Sequence, residues 1–111
     1  MNQEVQACIE ACLDCHRICF TVATRRVAGS GTNLQRSSSF QDALNGAELS
    51  LLTAHFLLTT AQLSHKLCLV CAEACDLCAQ DCERLGGLAD CLWTCRRCAE
   101  TCRKVGGFGT A

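Results

Sequence analysis

The chain has 111 residues and a formal charge of −1 at pH 7, and half of it is apolar only because thirteen cysteines are counted as apolar. That length suits one domain, residues 1–111, with a modest core. The near-neutral charge gives no basis for nucleic acid or an anionic membrane surface as a partner. No run of about 18 uncharged apolar residues offers a membrane span.

The first helix is predicted over residues 3–27. Nothing in MNQEVQACIEAC resembles a basic region followed by an apolar run, and polar and glycine residues follow Arg25-Arg26. No export signal is therefore expected, and a cytoplasmic location is. Cys8, Cys12, Cys15 and Cys19 in this helix spell Cys-x3-Cys-x2-Cys-x3-Cys, backed by Ile9, Leu13, Phe20 and Val22. At about 100° per residue, four side chains so spaced fall within a wedge of roughly 60°, so the helix carries a straight stripe of sulfur. Gly29-Ser30-Gly31 breaks the pattern, and a polar loop is expected over about 29–39.

Ser39 followed by Asp42 reads as the start of a second helix, although Asn45-Gly46 weakens its first turn. This helix has no cysteine. Phe40, Leu44, Ala47, Leu51, Ala54, Leu58 and Ala61 form an alternating seam, with Leu49, Leu52, Phe56 and Leu63 in a strip beside it. Two apolar strips exceed what one core needs, which predicts a homo-oligomer interface. A break is expected near Ser64 as an N-cap. The third helix then covers residues 65–84 with Cys68, Cys71, Cys75, Cys78 and Cys82, and Gly86-Gly87 ends it. The fourth runs over residues 88–104 with Cys91, Cys95, Cys98 and Cys102, and Gly106-Gly107 is expected to end it. Four such segments predict an all-α fold, an antiparallel four-helix bundle whose core is lined with cysteine from three sides.

Disulfides fit poorly. A cytoplasmic chain keeps its thiols reduced, the count is odd, and residues three or four apart on one helix sit near the limit for a bridge. Packing alone does not explain the pattern either, because so many small side chains forgo the burial that leucine would supply. Structural zinc and iron–sulfur clusters draw their cysteines mainly from knuckles and loops, whereas these Cys-x2-Cys pairs are mid-helix. No cysteine is singled out beside a histidine–acid pair, so no enzymatic nucleophile is read. Cu(I) fits better: it is soft, prefers thiolate, and accepts two or three sulfurs. Thirteen bare thiolates could not be buried, but neutral thiols could, each Cu(I) exchanging for a proton. That predicts a bundle already folded without metal.

The stretches CIEACLDCHRIC, LCLVCAEACDLCAQDC and CLWTCRRCAETC resemble the copper storage proteins, cysteine-rich four-helix bundles formerly described as ferredoxin-like. The resemblance implies a bundle interior that holds many Cu(I) ions on cysteine pairs, a tetramer, and a cytosolic store when no export signal is present. It also implies copper ions as the principal partner, exchanged with a copper chaperone or cuproenzyme. This chain departs from the family at the second helix, where members contribute cysteines, so a lower copper capacity is expected. His16, His55 and His65 are candidate accessory ligands: His16 at the core edge, His55 on the cysteine-free helix in line with Thr59 and Gln62, and His65 at a bundle end. Each has a plainer reading as a surface or helix-end histidine. Trp93 is expected to pack between helices or subunits, and Arg96, Arg97, Glu100, Arg103 and Lys104 to form a solvated face. The alternatives that stay open are an iron–sulfur or thiol-redox electron carrier and a zinc or heavy-metal buffer.

Overall fold

The structure is a computed structural model that describes residues 2–30 and 38–108. It contains four helices, α1 (Gln3–Ser30), α2 (Ser38–Leu58), α3 (Ser64–Leu85) and α4 (Ala89–Phe108). They pack as the antiparallel bundle that the periodicity predicts, in cyclic order α1–α2–α3–α4, with a long axis of 44 Å. A 28-residue helix is about 42 Å long at 1.5 Å per residue, so α1 alone spans the molecule.

Local chemistry sets most helix ends. Asn2 caps α1: its Oδ1 accepts the Val5 N–H at 2.7 Å. α1 continues past Gly29 to Ser30, and residues 31–37 of the expected loop lie outside the described residues. α2 begins at Ser38, one residue before the expected cap, and runs through Asn45-Gly46 without a break.

The α2–α3 turn has a signal that sequence reading missed. The Ala61 N–H donates to Phe56 O at 3.0 Å and the Thr60 N–H to Leu57 O at 3.3 Å, a Schellman closure. The left-handed position at its centre, normally glycine, is held by Thr60 with φ 53°. Ser64 does not act as an N-cap. Its hydroxyl donates backward to Ala61 O at 2.6 Å and Phe56 O at 3.1 Å, tying the new helix to the end of the old one.

Gly86 and Gly87 end α3 as expected, both at φ 72°, with the Gly86 N–H on Cys82 O at 3.0 Å. Gly106 and Gly107 do not end α4, which continues to Phe108. Gly106 instead lets α4 approach α3 closely: a methyl group there would lie 2.7 Å from Leu69 Cδ2 and 3.1 Å from His65 O.

The core sits on the bundle axis and is built from cysteine and alanine. Val105 and Thr53 are its largest fully buried side chains. α2 is rotated from the expected seam. Ala43, Gly46, Ala47, Ser50, Thr53, Ala54 and Leu57 face inward, while Leu58 and Leu52 are exposed. Small side chains win most of that face because the opposing wall is filled by sulfur, and the buried leucine, Leu57, comes only at the end of the helix. Trp93 does not pack between helices; it is 71% exposed on α4.

The cationic face of α4 is solvated as expected. Its residues pair across helices, Arg97 with Asp14 at 3.3 Å, Arg96 with Glu83 and Arg103 with Asp76, while Lys104 pairs with Glu100 at 3.5 Å. Every one of these side chains is at least 39% exposed, so they orient the helices more than they stabilise them.

Two outcomes follow from this architecture. The metal-free, reduced protein is expected to give a strongly helical far-UV circular dichroism spectrum; a random-coil spectrum would refute a preformed bundle. Thr60→Gly removes a β-branched residue from the left-handed region and should raise apo stability by up to about 1 kcal/mol, read from denaturant midpoints.

Candidate metal centre

Three helices deliver the thiols, each for the same local reason: the three-and-four residue steps keep the sulfurs on the inward stripe. All thirteen cysteines are free and buried, none more than 4% exposed. Tertiary packing turns the stripes into overlapping groups whose sulfurs lie within 4.8 Å of one another. From one end of the bundle these are Cys8/Cys68/Cys102, Cys12/Cys71/Cys98/Cys102, Cys15/Cys75/Cys98 and Cys19/Cys78/Cys91/Cys95.

Cys102 belongs to the first two groups and Cys98 to the second and third. Cys15 joins the last two through Cys19 at 3.6 Å and Cys95 at 3.9 Å. The groups therefore form one continuous ladder in which an ion held at one level has sulfur within reach at the next. Twelve cysteines take part. The thirteenth, Cys82, stands at the α3 end of the ladder beyond Cys78.

Every group takes ligands from α1, α3 and α4. Mid-helix Cys-x2-Cys pairs do not wrap one ion as a knuckle does, yet two of the groups hold four sulfurs. They arise across helices, which spacing within one helix cannot show. Neighbouring sulfurs sit at 3.4–4.0 Å, compatible with thiolates around a shared soft cation.

The fourth wall is α2, and there the same four-three-four spacing recurs as Ala43, Ala47, Ser50 and Ala54, all buried. That repeat is the signal by which the inward face of α2 could have been read. Ser50 Oγ lies 3.6 Å from Cys71 Sγ and 3.8 Å from both Cys75 and Cys98, at the junction of two groups. A hydroxyl there can donate to whichever thiolate is ionised. Thr53, one turn on, is also fully buried, and its Oγ1 has no hydrogen-bond partner.

None of the three histidines enters a sulfur group. His55 is exposed, because α2 turns Ser50 and Thr53 to the core instead, and Thr59 and Gln62 lie past the helix end. His16 Nδ1 donates to Ala47 O at 2.9 Å and its ring stacks on Phe20, clamping α1 to α2. His65 Nδ1 donates likewise to Val105 O at 2.9 Å, clamping α3 to α4. In both rings a carbonyl, which can only accept, places the proton on Nδ1.

The sulfurs divide into two electrostatic kinds. Hydrogen bonds from neighbouring thiols pull Cys8, Cys15, Cys71, Cys78 and Cys91 below the usual thiol range, the Cys19 thiol being the largest influence on Cys91 and holding Cys78 at about 5. Their neighbours are pushed up: Cys95 chiefly by Cys15, Cys98 chiefly by Cys102, Cys102 chiefly by Cys12, and Cys82 by Cys78. A thiol that donates to an ionised neighbour must keep its own proton. Thiols held to their protons thus stand beside thiols drawn toward ionisation, an arrangement that avoids the cost of burying charge on every sulfur.

A carboxyl pair lies near the Cys78 end. Burial, then Asp81, raises the Asp42 carboxyl to about 6 from 3.8, and Asp81 Oδ2 is buried with no hydrogen-bond partner unless Asp42 keeps its proton. The raised value means that the fold favours neutral Asp42. Its contribution is intact below pH 3.8 and is lost as pH rises through about 6. Asp42→Asn should therefore melt at higher temperature than the parent apo protein at pH 7 and equally below pH 4, and thermal melts across that range check it.

A family model described as copper storage protein matches residues 1–107. Among solved structures, the Nmul_A1745 protein from Nitrosospira multiformis superposes with a TM-score of 0.88 at 39% identity, covering 97% of this chain and 99% of that one. A Cu(I)-bound copper storage protein, BsCsp3, matches at 0.83 and 26% identity over 94% of this chain and 99% of its own. The apo form of copper storage protein 3 from Bacillus subtilis matches at 0.74 and 29% identity, over 91% and 97%. No described helix is long and apolar enough to cross a membrane.

Proposed function

The chain belongs to the copper storage protein family, and from that premise we propose how it works: it binds and stores multiple Cu(I) ions on cysteine thiolates inside the four-helix bundle. The observation that carries this reading is the continuous, buried sulfur ladder. An isolated structural site would need four cysteines; thirteen on one axis amount to capacity.

The ligands are Cys8, Cys12, Cys15, Cys19, Cys68, Cys71, Cys75, Cys78, Cys82, Cys91, Cys95, Cys98 and Cys102. Each arriving Cu(I) replaces a thiol proton. Sulfurs shared between ions, as Cys98 and Cys102 are placed to be, bring the core toward neutrality as it fills. Low-coordinate Cu(I) needs no helix to unwind, so filling leaves the backbone in place, unlike small zinc domains that fold around their ion. The family match and the Cu(I)-bound neighbour do not favour the iron–sulfur, thiol-redox and zinc-buffer alternatives.

Several finer points belong to the same proposal. Residues 1–111 act as one unit and perform no catalysis, since the ladder treats its sulfurs as ligands and isolates none as a nucleophile. The unbridged thiols suit a reducing, cytoplasmic setting. Copper is exchanged with a chaperone or cuproenzyme. Exposed Leu52 and Leu58 on α2, Val70 and Leu77 on α3 and Trp93 on α4 support assembly into an oligomer, a tetramer by likeness to the family.

Anaerobic addition of Cu(I) to the reduced protein tests the storage reading. Sulfur-to-copper charge-transfer absorption should rise linearly to an endpoint well beyond about four ions per chain, with the metal resisting a strong chelator. An endpoint at or below that figure, or iron in the protein as isolated, would overturn it. Ser50→Cys places a further sulfur beside Cys71, Cys75 and Cys98 and should raise the endpoint by about one ion, whereas Ser50→Ala should leave the endpoint unchanged.

A further inference from the structure

The ladder is closed to solvent along nearly its whole length, so copper must reach it at a defined place. The largest cleft described, about 570 Å3, lies between the second half of α1, the α3–α4 turn and the first turn of α4. Arg17, Thr21 and Arg25 line one wall at four-residue steps, Leu88 and Asp90 the other, and the buried Cys91 lies at its floor. The cleft between Asp42 and Leu77, the one between Gln3 and Lys104, and the one beside His55 have no cysteine in their walls.

At the opposite end of the bundle, Val105 is buried, His65 is bonded to its carbonyl, and Leu69 presses on Gly106. The Arg cleft therefore brings solvent up to the ladder's Cys91 where that end is plugged. Its charge is also informative. Arg17 and Arg25 form no ion pair among the described residues, so two cations face one carboxylate, Asp90.

We infer that this cleft is the loading port of the store, and that it accepts Cu(I) as a complex with a small anionic thiol. The inference rests on the storage reading above and adds where the copper enters and in what form. A Cu(I) ion held by two thiolates is an anion, and free aqueous Cu(I) is not available to a protein under reducing, thiol-rich conditions. A cleft of this size suits a small ligand, being within the range of about 300–1,000 Å3 typical for such sites. The two arginines attract the complex and can hold carboxylates on its ligands in bidentate fashion.

The transfer is ligand exchange without a redox step. The Cys91 sulfur forms a bond to copper as one copper–sulfur bond to the carrier breaks, and the departing carrier thiolate takes its proton from Cys91, or from water where Cys91 is already ionised. Cys19, 3.8 Å from Cys91, or Cys95, 4.0 Å away, then displaces the second carrier ligand, whose proton it supplies. Copper stays Cu(I) throughout and two neutral carrier thiols depart. From this level Cys15 leads to the rest of the ladder.

The test is the rate of anaerobic copper uptake from two donors: Cu(I) bound by excess glutathione, an anionic tripeptide thiol, and Cu(I) in acetonitrile, a cationic complex. The Arg17→Glu/Arg25→Glu double variant should load from the glutathione complex at least about tenfold more slowly, the scale of electrostatic steering into a charged cleft. It should load from the acetonitrile complex no more slowly than the parent, and reach the same final copper content. Thr21→Trp, which fills the cleft and leaves its charge intact, should slow loading from both donors. Circular dichroism of each variant confirms the bundle. Equal rates from glutathione in parent and double variant, or unimpeded loading of Thr21→Trp, would overturn the port while leaving storage intact. A parent protein that takes up copper from neither donor overturns the storage reading and the port with it.

Discussion

Burying thirteen thiols in one core is possible only while most of them are neutral, and the rest of the structure follows from that constraint. A thiolate removed from water without a counter-charge costs several kcal/mol, so a ladder of them could not survive in an empty bundle. The hydrogen bonds among the sulfurs suit that constraint: they hold protons on thiols such as Cys95 and Cys98 and draw Cys71 and Cys91 the other way. The same constraint fixes the type of cargo. A monovalent soft ion that trades one-for-one with protons and tolerates two or three sulfur ligands can fill such a core without building up charge.

The second consequence concerns α2. A helix that closes a sulfur-lined tube without contributing sulfur must offer either bulk or polarity, and it does little of the first. Its inward face is alanine, glycine, serine and threonine up to Leu57 near its end, which lets it sit close to the ladder; a side chain larger than methyl at Gly46 would enter the space of Cys19 and Cys78. Leu52 and Leu58 turn outward instead. The helix is held in that rotation from outside the core, in part by the His16 bond to Ala47 O. His16 thus has a structural task that explains its place beside the cysteines without any metal.

Much of the fold was legible from spacing, and the exceptions share a cause. The three sulfur stripes, the four helices and the glycine stop after α3 are properties of single helices and turns, so the local pattern states them directly. α2 was placed in the wrong rotation because its leucines are the strongest apolar signal, and a hydrophobic seam is normally the inward one. The turn after it carried no glycine or proline, since Thr60 accepts the left-handed backbone at a cost. Gly106-Gly107 looked like a helix stop because glycine usually is one, but here close approach to α3 uses the missing side chain. Trp93 was expected between helices or between subunits, and its exposure excludes the first of these.

By itself, then, the sequence determined that this chain forms helices with inward sulfur and that its chemistry is that of a soft cation. Those conclusions need only the angular step of one helix and the softness of one ligand atom, and both are local. The tertiary structure decided which sulfurs come within reach of one another and how four stripes' worth of spacing becomes one ladder with a serine at its junction. Those are relations between side chains far apart in the chain. They depend on the rotation and offset of packed helices, set by side-chain volume and close contacts that no single stretch of sequence contains.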